Sequence, residues 1–414
     1  MPPRRATETP GEPSARRRRT DATTAARSIP PLAEGEDPNV LREADDEIVM
    51  LPENVANKSK GVWLKLDPGL ITALIEFWRP ETHTFHFPAG EMTVTYEDVS
   101  HLWGLQTWGE PLISSTNVRD ETIEQLLFDD PNARRAQGRN QISLSWLRRM
   151  CAQFPGVDDN DGWDRYARAY AMEMIGCVMV PDTSGSAVPA CYLPFLQDVN
   201  SPRNINWGAA VLAVLFRTLD TACMKWDHSK GEQNISGPML LLQMWSWTRL
   251  PVCRPRVNFD SDMFGYPSRL LAVPFGRKWT DPRIWTNSPN RVGVAIQRNE
   301  IARLKADWVL WTPYTDFREY RPVTADEMDD SWLRSVPVVC FCKVSWIYPG
   351  RCARQFGKRQ LLPPPRTLYW ETQKWLNSIT NATNRAEDWS ISWNWIRDNW
   401  NNMEKHHEIP KVGR

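Results

Sequence analysis

The chain has 414 residues, room for two or three domains or one large domain with tails at roughly 150 residues each, which excludes a small stapled scaffold. Its 50 Lys and Arg balance 50 Asp and Glu, so no global charge draws the whole chain onto nucleic acid or an anionic membrane, and any such attraction must be local. Arg outnumbers Lys by 38 to 12, which favours planar pairing with carboxylates, and the 22 Trp read first as core area.

The eight Cys lack the dense, regular spacing of a disulfide framework and read as reduced thiols of an intracellular protein. Ala209 to Phe216, the longest apolar run, has eight residues against the ~20 that cross a bilayer, so no membrane association is expected. The amino terminus carries no apolar signal core, so secretion is not expected.

Residues 1–55 hold few large apolar side chains and split by charge. Up to Pro30 there are seven Arg against three acids, and from Pro31 to Asn54 one Arg against eight. Such a segment cannot offset its chain entropy by burial and is expected to be a disordered charged tail, with Arg16 to Arg19 a short basic pattern of the nuclear-import kind.

From Val62 the pattern becomes globular. Asp67 before Pro68 is an N-cap with proline at the first helical position. Leu70, Leu74, Ile75 and Trp78 recur at helical spacing, and Pro80 stops them. Thr82 to Phe87 alternates, with His83, Phe85 and Phe87 on one side, and Pro88-Ala89-Gly90 turns it into Met92 to Thr95, a β-hairpin near 82–95. Thr95 and Asp98 form a capping box ahead of Val99, Leu102 and Trp103, and Gly104 ends that helix.

Further helices are expected through Ile123, Leu126 and Leu127, from a cap at Ser143, over about 161–180, over 204–224 as a buried helix, and over 238–247. Residues 248–299 are rich in Pro, Arg and Gly and read as irregular. Helices resume near 300–310 and at Thr324, capped with Glu327. The apolar run 336–344 fits either a strand or a buried helix. Trp389, Trp393, Ile396 and Trp400 form one helical stripe that reads as a docking face on the core. The fold class expected is mainly α (α+β): one large helical domain over 56–403 with a small hairpin near its start, and a tail at 404–414.

The stretch LIEFWRPETHTFHFPAGEMTVTYEDVSHLWGL, Leu74 to Leu105, resembles the opening signature of the plant mobile domain family, also called aminotransferase-like, whose members include Maintenance-of-meristems-like proteins. PDTSGSAVPACYLPFLQD (Pro181 to Asp198), INWGAAVLAVLFRTLD (Ile205 to Asp220), LLLQMWSWTRLPVCRP (Leu240 to Pro255) and YPGRCARQFGKRQLLPPP (Tyr348 to Pro365) follow in the family's order. The resemblance covers 62–365, leaving Trp-rich helices over 366–403. Ser345, Ile347 and Gly350 depart from the family pattern, in which an acid, a His and an acid often stand. The resemblance implies a non-enzymatic nuclear plant protein, an interaction module in meristem maintenance, transposon silencing and genome stability. It also carries the alternatives of a transposon-derived nucleic-acid-binding protein and of a cryptic transferase or phosphatase-related enzyme, and implies protein partners in the nucleus.

Motifs for chemistry are scarce. There is no Gly-Asp and no Gly-Asn-His for a metallophosphatase, and Gly357-Lys358 stands too far from Gly350 for a phosphate loop. No context marks a Lys for a pyridoxal Schiff base, so no cofactor is expected. Cys340, Cys342 and Cys352 lack a Cys-x-x-Cys pairing and read as buried thiols, not zinc ligands. Two polar groupings remain. Arg79, Glu81 and His83 surround the helix-to-hairpin junction, where an ion pair fixing hairpin on helix is expected, with a loss of ~3–5 kcal/mol if Arg79 is removed. Arg351, Arg354 and Gln355, with Lys358 and Arg359, lie on a short basic helical segment that reads either as a solvated, internally paired face or as a nucleic-acid or acidic-partner surface.

Overall fold

Asp67 caps the first helix. Its carboxylate accepts the backbone N–H of Leu70 (3.1 Å) and the Gln297 amide (2.8 Å), while its own N–H donates to Gln243 (2.7 Å), so one cap ties three helices together. The computed structural model describes residues 66–127, 140–152, 155, 159–181, 185–199, 204–224, 235–256, 276, 279, 293–314, 331–360, 388, 389, 393, 394 and 396. All belong to one compact unit, Leu51–Arg414. The tails at 1–55 and 404–414, the cap at Thr324 and Trp400 lie outside the described residues.

Helix α1 (Pro68–Ile75) is buried from Gly69 onward. The spacing predicts that it reaches Trp78, but Trp78–Arg79 forms strand β1, paired with β2 (Thr84–Phe87), which pairs in turn with β3 (Gly90–Met92). The predicted hairpin is therefore two strands of a three-stranded antiparallel sheet. Tertiary bonding overrides helix propensity here: the Trp78 indole donates to Asp220, which holds it in an extended segment. Phe85 and Phe87 face the core as predicted, whereas His83 has φ 50° and belongs to the turn before β2, not to the strand's apolar face.

Helix α2 (Tyr96–Trp103) carries the predicted reciprocal capping box between Thr95 and Asp98 and the left-handed Gly104. Helix α3 (Asp120–Leu127) buries the predicted Ile123, Leu126 and Leu127. Strand β4 (Gln141–Ser143) pairs with β5 (Ala187–Pro189) around α4 (Leu144–Cys151), at whose start Ser143 makes no capping bond because its hydroxyl meets Ser145 (2.9 Å). Helix α5 (Asn160–Met174) ends earlier than 180 in a π turn, Ile175–Met179. Gly176 permits that turn, since a β-carbon would stand 2.7 Å from Val188 Cβ.

The centre is α6 (Trp207–Met224), packed against α2, β1 and the hairpin of β6 (Val336–Cys340) and β7 (Lys343–Ile347). It is long and apolar enough to cross a membrane by length and composition, yet its run from Gly208 to Phe216 is buried inside the fold. The undecided segment 336–344 is thus a strand pair with a two-residue turn, Phe341 at φ 50°. Helix α7 (Met239–Arg249) extends the predicted element, and α8 (Val294–Ala302) packs on α1.

The predicted helix at 300–310 is instead the end of α8 followed by turns. Bonds from Arg303 to Glu300 and Leu304 to Ile301 tighten the last turn, and Leu304 and Val309 then reach the core. Trp389, Trp393 and Ile396 are buried, and the Trp393 indole donates to the Phe341 carbonyl (2.9 Å), so this stripe docks on the core as predicted.

Candidate functional site

Three polar networks surround the first sheet. In the first, the turn at Thr82 and His83 places the imidazole between the Phe216 ring (5.3 Å) and the Trp78 ring (6.1 Å). His83 Nε2 meets Asp220 Oδ2 at 3.2 Å and Nδ1 meets the Trp346 carbonyl at 2.7 Å. A carbonyl and an ionised carboxylate can only accept, so the two bonds form together when both ring nitrogens carry protons, an arrangement that favours the imidazolium form of His83 beside Asp220. Burial disfavours that charge, but the attraction and hydrogen bond of Asp220, with the Trp346 carbonyl, outweigh it and raise the His83 pKa.

The second network lies across β2 and β3. Glu91 stands opposite His86 in the register and accepts from Thr84 (2.6 Å), while Arg351 grips both carboxylate oxygens, with Nη2 to Oε2 at 3.0 Å. Burial would raise the Glu91 carboxyl, but hydrogen bonds from His86, Arg351 and Thr84 hold it down at about 2. Gln355 brackets Thr93 with two bonds, accepting from its N–H (2.8 Å) and donating to its C=O (2.9 Å). The Thr93 hydroxyl donates to the His83 carbonyl (2.7 Å) and so joins the first two networks.

The third network is built on the capping box. Asp98 Oδ2 accepts from the N–H and hydroxyl of Thr95, and Oδ1 accepts from Arg249 Nε and the Tyr314 hydroxyl, both at 2.8 Å. Arg249, fully buried, also reaches Glu97 (3.1 Å) and the Trp311 carbonyl, and its guanidinium lies over the Tyr314 ring.

The two groupings singled out in the sequence behave differently. Arg79, Glu81 and His83 do not cluster: the Arg79 guanidinium bonds the carbonyls of Glu76 (3.1 Å) and Trp78 (2.8 Å), neighbours in its own turn. Neither Arg79 nor Glu81 forms an ion pair among the described residues, which corrects the expected junction ion pair. Arg351 and Gln355 are buried against the first sheet on the kinked short helix Pro349–Phe356, and Arg354 alone of the three is exposed, over the Trp311 ring at 5.3 Å. The basic segment is therefore internally paired on one side and solvated on the other.

Asp220, Arg249 and Glu91 were not singled out from sequence. Each carries a readable signal: an acid closing the apolar α6 run, an Arg closing the Trp-rich α7 run, and an acid across a tight turn from a His.

Chemically, the three carboxylates at the centres of these networks are each paired with a cation and bonded further, by hydroxyls at Glu91 and Asp98 and by the Trp78 indole at Asp220, which suits holding elements in register. Among the described residues no three His, Cys, Asp or Glu side chains gather to hold a metal ion. Cys340 lies beside the Tyr192 hydroxyl (3.5 Å), and burial pushes its thiol up to about 11. Cys151 is pushed up to about 12 by burial and by Glu173, so neither thiol is a nucleophile near neutrality.

Comparison with known proteins gives relatives in Arabidopsis thaliana. The chain is 35% identical over 336 residues to a "Serine/threonine-protein phosphatase 7 long form homolog", covering 80% of this chain and 24% of the relative. It is 31% identical to "Protein MAIN-LIKE 2" over 80% of this chain and 48% of the relative, and 30% identical to "Protein MAINTENANCE OF MERISTEMS" over 73% and 60%. The chain thus spans between about a quarter and three fifths of the lengths of these relatives. No solved structure matches it. The family model described as plant mobile domain matches residues 55–409, and four of the five signature blocks supply the side chains of the three networks around the first sheet, Tyr314 excepted: the chain belongs to the plant mobile domain family.

Proposed function

We propose that this chain is a non-enzymatic interaction module that works in the nucleus in meristem maintenance, transposon silencing and genome stability. The observation that carries the non-enzymatic part is the internal pairing of these carboxylates: Asp220, Glu91 and Asp98 each face a buried cation inside the fold. Those groups brace the sheet and leave no carboxylate free for general acid–base work at these positions. The biological setting is supported by relatives named MAIN-LIKE and MAINTENANCE OF MERISTEMS. The phosphatase name belongs to a relative of which this chain covers 24%, and no phosphatase activity is proposed for it.

Affinity purification of the tagged full chain from meristem tissue, with identification of the retained proteins and nucleic acid, tests the reading. A reproducible set of nuclear proteins is the expected result. Turnover of a phosphoester or amino-acid substrate by the purified chain, abolished by Asp220→Asn without loss of folding, would replace it with an enzyme.

A further inference from the structure

Away from the buried networks, two segments distant in sequence meet at the surface with a different chemistry. The turns after α8 expose Arg303, Lys305, Trp308 and Leu310, with Trp308 at 44%. The short helix Pro349–Phe356 presents Arg354, and its left-handed end at Gly357 leads into exposed Lys358 and Arg359. The two segments touch, since Arg354 lies over Trp311 and a β-carbon at Gly357 would stand 3.5 Å from Thr312 Cγ2.

This surface has a firm base. The Trp311 indole donates to the Ala306 carbonyl (2.9 Å), and the Leu310 N–H donates to the carbonyl of buried Arg249 (2.9 Å). Lys305 Nζ stands 5.4 Å from the Trp308 ring centroid. Across 303–312 and 354–360 the five cations Arg303, Lys305, Arg354, Lys358 and Arg359 face one acid, Asp307. None of the five forms an ion pair among the described residues, in a chain whose formal net charge is zero.

Concentrated cations alone would suit any polyanion. Exposed indole beside them adds affinity only for a ligand with flat, unpaired π faces, because a duplex stacks its bases inward and an acidic peptide has none. We propose that this face binds single-stranded nucleic acid, with phosphates on the cations of the two segments and a base stacked on Trp308. The proposal does not rest on the protein-partner reading above.

The test uses fluorescence anisotropy of labelled oligo(dT) and oligo(U) with the nuclease-treated full chain, against a duplex and a poly-glutamate peptide. The expected result is preference for the single strands, weakened about tenfold by Trp308→Ala. Lys358→Gln with Arg359→Gln should make the dependence of log affinity on log salt shallower by about 0.7 for each phosphate no longer neutralised. All these side chains are exposed, so melting temperatures should stay at the parent value and separate a binding defect from a folding defect. Replacing Arg16, Arg17, Arg18 and Arg19 together by Gln should leave most of the affinity, which would exclude the amino-terminal arginines as its source. No binding, equal binding to duplex or poly-glutamate, or affinity indifferent to Trp308→Ala and the charge variants overturns the proposal.

Discussion

Replacing Arg249 by Met removes the cation at the centre of the third network while keeping the aliphatic stem. Asp98, fully buried, then loses its countercharge, and removing one member of a buried pair costs roughly 3–5 kcal/mol. Three donors remain on Asp98, the Thr95 N–H, the Thr95 hydroxyl and the Tyr314 hydroxyl, which places the loss from the carboxylate near the lower limit, about 3 kcal/mol. The Trp311 carbonyl also loses its donor, for about another 1 kcal/mol. The expected total is about 4 kcal/mol of the ~5–15 that stabilise a domain.

Asp98→Asn takes from Arg249 the nearer of its two carboxylates, leaving Glu97, and should cost about 3 kcal/mol, the lower limit for a broken buried pair. In the double variant neither charge remains, so its cost should fall about 2 kcal/mol short of the sum of the singles. Urea unfolding of the full chain, followed by tryptophan fluorescence, measures all four corners of this cycle. Additive single costs, or an Arg249→Met cost below about 1 kcal/mol, would refute the view that a desolvated pair holds α2 to α7.

Glu91→Gln should cost about 2 kcal/mol at neutral pH, after discounting the full shift for its partial exposure, and the difference from the parent should vanish as pH falls from 4.5 through about 2, where the native carboxylate protonates. His83 has the opposite sign: its pKa is raised in the fold, so its contribution is fully present below about 6.5 and is lost as pH rises through the folded value, and His83→Gln should abolish that arm of a stability-versus-pH curve. Gln355→Leu strands the buried N–H and C=O of Thr93 and should cost about 3 kcal/mol by denaturant unfolding. Arg79→Ala removes only bonds to carbonyls of its own turn and should cost about 1 kcal/mol, read from the same unfolding curves.

Local rules reach furthest where bonding is local. The Asp67 and Thr95 caps, Gly104 and the buried α6 are dictated by residues within one or two turns, and all appear as predicted. Sequence pattern and fold part company where a distant partner decides. Trp78 continues the helical stripe in sequence, but Asp220, 142 residues later, draws it into a strand. Likewise the basic segment at 351–359 gives no hint that Arg351 belongs to Glu91, 260 residues earlier. The networks were therefore visible as scattered charges within the family's blocks, and their convergence was not, because spacing along a chain does not encode pairing across it.

Four polar groups of the first sheet and its turn find a partner far downstream: Trp78 at Asp220, His83 at Trp346, Glu91 at Arg351 and Thr93 at Gln355, with separations of 142, 263, 260 and 262 residues. At synthesis rates of roughly 5–20 residues per second, the opening segment waits on the order of 13–50 s for the last three of those partners to be made. Until then its aromatic and charged side chains lack the groups that satisfy them, so the sheet cannot form as an early, self-sufficient unit. High contact order of this kind slows folding and makes unfolding collective. Truncation before Gln355 would strand the buried N–H and C=O of Thr93. A piece that keeps these ties runs from the Asp67 cap to beyond the helix that carries Arg351, and proteolytic nicks between them should destabilise both ends at once.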